Sequence, residues 1–169
     1  GPPGIAGGES FDPTPANIES RTVRFRLANG MKVALLPRKS RGGMVSMTLS
    51  FQYGTEESKF GRAPACSLAG AMLMRGTRTR DREALRNEIT RLRANLSVGG
   101  GGASLEVPRE ALIESLALTA EILRQPRFDP AEFEQLRQAS LSGIEASRSD
   151  PGSRASLALS RHLNPYQRG

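Results

Sequence analysis

Apolar and polar positions alternate strictly in the first third of the chain and give way to a helical rhythm beyond it. Val23, Phe25 and Leu27 point one way and Arg24 and Arg26 the other, which predicts a half-buried strand over 22–27. Ala28-Asn29-Gly30 follows, and Asn-Gly between two alternating runs signals a hairpin. The return strand is expected over 31–36, closed by Pro37, with a basic, glycine-containing loop over 38–43. Over 44–53, Val45, Met47, Leu49, Phe51 and Tyr53 share one face and Ser46, Thr48, Ser50 and Gln52 the other, as in an antiparallel sheet covered on one side only.

The segment 65–77, ACSLAGAMLMRGT, is where the rhythm changes. Ala65, Leu68, Ala69, Ala71, Met72, Leu73 and Met74 leave it no polar face, and a helix apolar all round is expected to be buried. Pro64 suits its first turn, where a missing N–H costs nothing, and Gly76 suits its stop. Asp81 is an N-cap for a helix over 82–93 with a Leu85/Ile89/Leu92 stripe and i,i+3 pairs Glu83–Arg86 and Glu88–Arg91. Strands over 94–98 and 103–107 flank the four glycines 99–102, which read as a flexible hairpin tip; no Gly-Lys-Ser/Thr ending follows to make them a phosphate loop. A helix from Pro108 to about Gln125 would bury Leu112, Leu116, Ala120 and Leu123, with Ile113 and Ala117 beside them. Asp129-Pro130-Ala131-Glu132 then combines an N-cap carboxylate, proline at N1 and a carboxylate at N3. Phe133, Leu136, Leu141 and Ile144 would be the buried side of that helix. Asp150-Pro151 starts a last helix to about Leu163 that would bury Ala155, Leu159 and Leu163. Strands in runs and helices in runs give an α+β fold, a mostly antiparallel sheet with helices packed on one face.

Composition narrows the chemistry. With 169 residues, 37% hydrophobic, 5% aromatic and no Trp, the chain is expected to build one lean core from Leu, Ile, Val, Ala and Met. A single Cys excludes an intramolecular disulfide and a cysteine-rich metal site, so Cys66 reads as a small hydrophobe. No apolar run reaches about 18 residues, so no membrane span is expected. The stretch 1–18 is rich in Gly and Pro and reads as a tag remnant followed by an interdomain linker, with a single domain over 19–169 that breaks off in mid-domain. No signal peptide is visible.

The net charge is +7, and Arg24, Arg26, Arg38, Lys39, Arg41 and the run Arg75, Arg78, Arg80, Arg82 make a basic nucleic-acid-binding module the alternative function. Against it, aromatics are too few for base stacking and no helix-turn-helix, zinc-finger or RNA-binding signature is present. A hydrolase using Cys66 or Ser67 would need an oriented base. The only histidine, His162, is about 95 residues away with no motif around it, and its place late in a helix suits the helix dipole.

Several stretches carry a resemblance: Leu27-Ala-Asn-Gly-Met-Lys-Val33, the Gly-Thr after the apolar helix, Ala120-Glu-Ile-Leu-Arg-Gln-Pro126 and Phe128-Asp-Pro-Ala-Glu-Phe-Glu-Gln-Leu-Arg137. In this order they resemble the repeating unit of the pitrilysin/insulinase zinc metallopeptidases, which have the mitochondrial processing peptidase-like metallohydrolase fold. That family carries His-x-x-Glu-His followed by an apolar pair and Gly-Thr; the histidines bind zinc from one helix face and the glutamate activates water. By this resemblance the matching positions here are Ser67, Gly70 and Ala71, a vestigial site face with no usable ligand and no base. A further glutamate ligand is implied roughly 70–80 residues downstream. There the family's Glu-Glu-Ile falls on Ser142-Gly143-Ile144, and Glu145 is the nearest carboxylate. The resemblance implies the first unit of the non-catalytic half of a bacterial member. Such a half holds no catalytic or metal residue and no cofactor, and completes a peptide-binding chamber opposite a zinc-bearing half in the same chain or another. It further implies a peptide substrate and a periplasmic location. A sheet edge left bare would allow a homodimer.

Overall fold

The computed structural model describes residues 7–52 and 54–163; Tyr53, the leading residues 1–6 and the C-terminal 164–169 lie outside the described residues. The chain runs α1 (Pro15–Arg21), β1 (Val23–Arg26), β2 (Lys32–Leu35), β3 (Met44–Ser50), α2 (Glu56–Lys59), α3 (Ala63–Met72), α4 (Arg82–Arg91), β4 (Asn95–Gly99), β5 (Gly102–Pro108), α5 (Leu112–Arg124), α6 (Pro130–Ser149) and α7 (Pro151–Leu163), with 3₁₀ turns at 41–43, 73–75 and 109–111. All strand pairing is antiparallel, so the α+β expectation stands.

The strands divide into two sheets. β1 and β2 form a hairpin by themselves, and β3, β5 and β4 form the second sheet in that order. In the larger sheet Leu105 sits between Met47 and Leu96, and Ala103 between Leu49 and Val98. These side chains share one face, which α4 and α5 cover; Ser104 and Glu106 point to solvent on the other. The two-residue alternation thus places the core as expected.

The helices depart from expectation in instructive ways. α5 turns Ser115, Leu118, Thr119 and Ile122 inward, leaves Leu112, Leu116 and Leu123 at the margin, and exposes Ala117, Ala120 and Ile113, the last at 75%. The expected stripe is thus rotated: the sheet takes a neighbouring face on which Ser115 and Thr119 are small enough to be covered. Thr119 Oγ1 donates to the Ser115 carbonyl at 2.7 Å, so its polarity is satisfied inside the helix. Ser115 Oγ is buried with no hydrogen-bond partner among the described residues.

The predicted buried sides of α6 and α7 are not buried: Ile144, Leu159 and Leu163 are more than half exposed, and Phe133 and Leu141 nearly so. Their caps are as read. Asp129 accepts from the Ala131 amide and Asp150 from the Ser153 amide, so the helices start where the sequence directs; α6 touches α3 and α7, yet these contacts leave the apolar stripes largely exposed. The stretch expected to be linker up to residue 18 is also partly structured. α1 begins at Pro15, and the Phe11 ring lies between the guanidinium groups of Arg21 and Arg38, at 5.4 and 5.6 Å.

Candidate functional site

Pro64 occupies the first turn of α3, which passes through the 3₁₀ turn 73–75 and stops at Gly76, whose φ of 129° few other residues adopt. The helix is less buried than its composition predicts. Met72 and Gly70 are buried, Leu68 and Cys66 are half-buried, and Ala65, Ser67, Ala69 and Ala71 are exposed. The helix packs on β4 and on α6, while Ala65, Ser67, Ala69 and Ala71 stay exposed. A helix apolar all round therefore predicts more covering layers than this chain holds.

The turn after α3 is tied to the end of α5. Thr77 is fully buried and pairs with Pro126 as an isolated β-bridge. Its hydroxyl donates to Glu121 Oε1 at 2.5 Å, Thr79 donates to the same oxygen at 2.7 Å, and the Arg80 guanidinium holds Oε2. The Arg78 amide donates to the Gln125 carbonyl and the Arg127 amide to the Gly76 carbonyl. Burial alone would raise the Glu121 carboxyl; the hydrogen bonds from Thr77, Thr79 and Arg80 outweigh it and hold the group below its ordinary value. Arg75 extends the tie to α6 through Glu132 at 2.9 Å, and Arg82 reaches the same carboxylate at 3.5 Å. The Gly-Thr turn and the 120–126 stretch that holds Glu121 both carried the resemblance, but nothing in sequence joined them across 44 residues.

Ser67, Gly70 and Ala71, with Cys66, form one wall of an open cleft of about 380 Å³, and Val98, Gly99, Gly100 and Gly101 form the other. The glycine tip between β4 and β5 is seated directly on the helix: a Cβ on Gly70 would lie 2.7 Å from the Gly100 nitrogen. The three matched positions are therefore together on a cleft, with a hydroxyl, a bare Cα and a methyl facing it. Ser142, Gly143, Ile144 and Glu145 are exposed on the second half of α6 and are not in its lining. His162 is exposed in the last turn of α7, and no hydrogen bond links it to Cys66 or Ser67 among the described residues. Among the described residues no three His, Cys, Asp or Glu side chains converge.

No protein-family sequence model matches the chain, and no curated protein sequence matches it. Solved structures do. The crystal structure of a peptidase M16 inactive domain from Pseudomonas fluorescens superposes with a TM-score of 0.69 at 27% identity over 83% of this chain. The chain has the fold of a pitrilysin-type unit. The pitrilysin-type fold is found again in the ferredoxin protease FusC, solved in complex with Arabidopsis ferredoxin, at a TM-score of 0.62 and 22% identity over 94% of the chain. The unit spans 35% of the first of these chains and 18% of the second.

Proposed function

We propose that this pitrilysin-type unit is a non-catalytic part of a zinc metallopeptidase system, in which it completes the wall of a peptide-binding chamber opposite a zinc-bearing half. The observation that carries the reading is the α3 face. Its three motif-matched positions open onto a cleft, but Ser67 and Ala71 offer a metal no imidazole and Gly70 offers no carboxylate base. In this reading the zinc belongs to the other half, the bound molecule is a peptide, and the system works in the periplasm of a bacterium. The inactive M16 domain and the ferredoxin-bound protease among its structural neighbours support a protein or peptide partner.

The test is reconstitution. The purified chain should hold no stoichiometric zinc by elemental analysis and cleave no peptide. Mixed with a zinc-bearing half encoded beside it, it should raise peptide cleavage, and a photoreactive peptide should then crosslink to residues 66–71 or 98–101. One tightly held zinc per chain, or chelator-sensitive cleavage by the chain alone, would sink the proposal.

A further inference from the structure

The charge of this chain is concentrated in one place. Residues 20–55 contain seven Lys and Arg and no Asp or Glu, whereas the remaining sequence contains seventeen of each sign, so the whole net charge of +7 lies in this segment. Structurally the segment holds the isolated β1–β2 hairpin, the basic loop after it and β3. On the hairpin, Arg24 opposes Ala34 and Arg26 opposes Lys32, so the three cations share one face. They border a shallow open groove of about 430 Å³ lined by Arg24, Phe25, Arg26, Lys32, Val33 and Ala34.

Arg26 and Lys32 are like charges directly across the strands, an arrangement that costs a hairpin stability. A two-stranded sheet with no helix on it is a poor place to absorb that cost. Among the described residues no carboxylate pairs with Arg26, Lys32, Lys39 or Arg41. The one cation of the face that is matched shows what the row accepts: Arg24 receives both oxygens of Glu19, each at 2.8 Å. Neither β1 nor β2 has a second strand neighbour among the described residues, so their outer edges present unpaired backbone groups.

We infer that the β1–β2 hairpin is a docking surface for an acidic, extended polypeptide segment of a partner protein, which adds to a free strand edge and places carboxylates over Arg26 and Lys32. A residue of the added strand directly opposite Arg26 or Lys32 has its Cβ about 5 Å away on the same face, close enough for a carboxylate there to reach the cation. A second copy of this chain is disfavoured at the same edge, since it would set one basic row against another. A nucleic acid satisfies the charges and leaves the strand edge unpaired. This surface is separate from the α3 cleft, and the inference does not depend on the chamber reading.

The test is binding of a labelled peptide of about twelve residues alternating Glu and Thr, at roughly 50 and 200 mM salt. The expected result is salt-sensitive binding that Arg26→Gln/Lys32→Gln weakens about fivefold or more. Arg148→Gln/Arg154→Gln removes the same charge elsewhere and should weaken it less than about twofold. Without peptide, Arg26→Gln/Lys32→Gln should melt at or above the parent temperature, since a repulsion has been removed. The inference is overturned by equal losses in the two double variants, by no binding at the lower salt, or by a lower melting temperature for Arg26→Gln/Lys32→Gln. It is equally overturned if a duplex or single-stranded oligonucleotide binds more tightly than the peptide through these two residues.

Discussion

Gly70 and Gly100 meet backbone to backbone, so closely that a methyl group on residue 70 would stand 2.7 Å from the Gly100 nitrogen and 3.3 Å from its Cα. Gly70 matches the family's catalytic glutamate by resemblance, so the space a longer side chain would need at its Cβ has passed to the β4–β5 tip. Gly70→Ala should cost about 1–3 kcal/mol, since the neighbour is backbone and cannot swing away as a side chain does. Gly99→Ala, where an added Cβ meets nothing within 4 Å, is the control and should cost well under half as much. Urea unfolding midpoints of the two variants check this.

Glu121 joins Thr77, Thr79 and Arg80 in one cluster, so its loss is felt by three partners at once. Glu121→Gln keeps the size and one acceptor oxygen but leaves the Arg80 guanidinium without its charge partner. The expected cost is about 1–3 kcal/mol, toward the lower end because Arg80 is one-third exposed. Amide hydrogen exchange at Arg78 and Arg127, whose N–H groups stitch the turn to α5, should quicken in the variant.

The same carboxylate gives the fold an acid limit. Its folded pKa lies below the ordinary 4.5, so its contribution is complete above that value and is lost as pH falls through the folded one. Glu88, lowered chiefly by the Arg91 hydrogen bond, and Glu134, brought to about 2 by Arg137 and Gln138, act in the same direction. The unfolding midpoint in urea should therefore fall steadily below about pH 5, and Glu121→Gln should show a shallower fall.

Core and bare surface can be told apart by paired substitutions. Ile122, fully buried in α5, should cost about 2–5 kcal/mol as Ile122→Ala. Ile144→Ala in α6 changes the same number of atoms, but the residue is 53% exposed, and the expected cost is within about 0.5 kcal/mol. Thermal melts of the two variants decide whether the α6 stripe carries weight in this chain.

The two hairpins, the aspartate-capped helix starts and the α+β class were legible because each rests on neighbours in sequence, whereas the pairing of β3 with β5 across some 50 residues was not. Alternation fixed the faces of β3, β4 and β5, Asn29-Gly30 fixed the first turn, and Asp81, Asp129 and Asp150 accept the amide bonds their positions promised. The turning of α5 was not legible, because Ser115 and Thr119 are polar by composition and buried by the closeness of the sheet. The exposure of α6, α7 and half of α3 was hidden for another reason. An apolar stripe marks a face suited to burial, not whether these residues supply a layer to bury it. For the candidate site, the motif put Ser67, Gly70 and Ala71 together, whereas the seating of Gly99 and Gly100 on the helix joins segments some 30 residues apart that periodicity cannot relate.

The order of strands in the larger sheet sets an order of assembly. β4 and β5 are joined by a two-residue turn, so their ladder closes at little entropic cost, while β3 reaches the opposite edge of β5 only by looping out everything between Ser50 and Gly102. The hairpin at 95–108 is thus the template, and β3 is the late arrival that must wait for the intervening helices to condense. Until it docks, the backbone groups along one side of β5 stay open. The nascent chain accordingly carries its most aggregation-prone edge in the interval when β3 is already made and β5 has only just been synthesised.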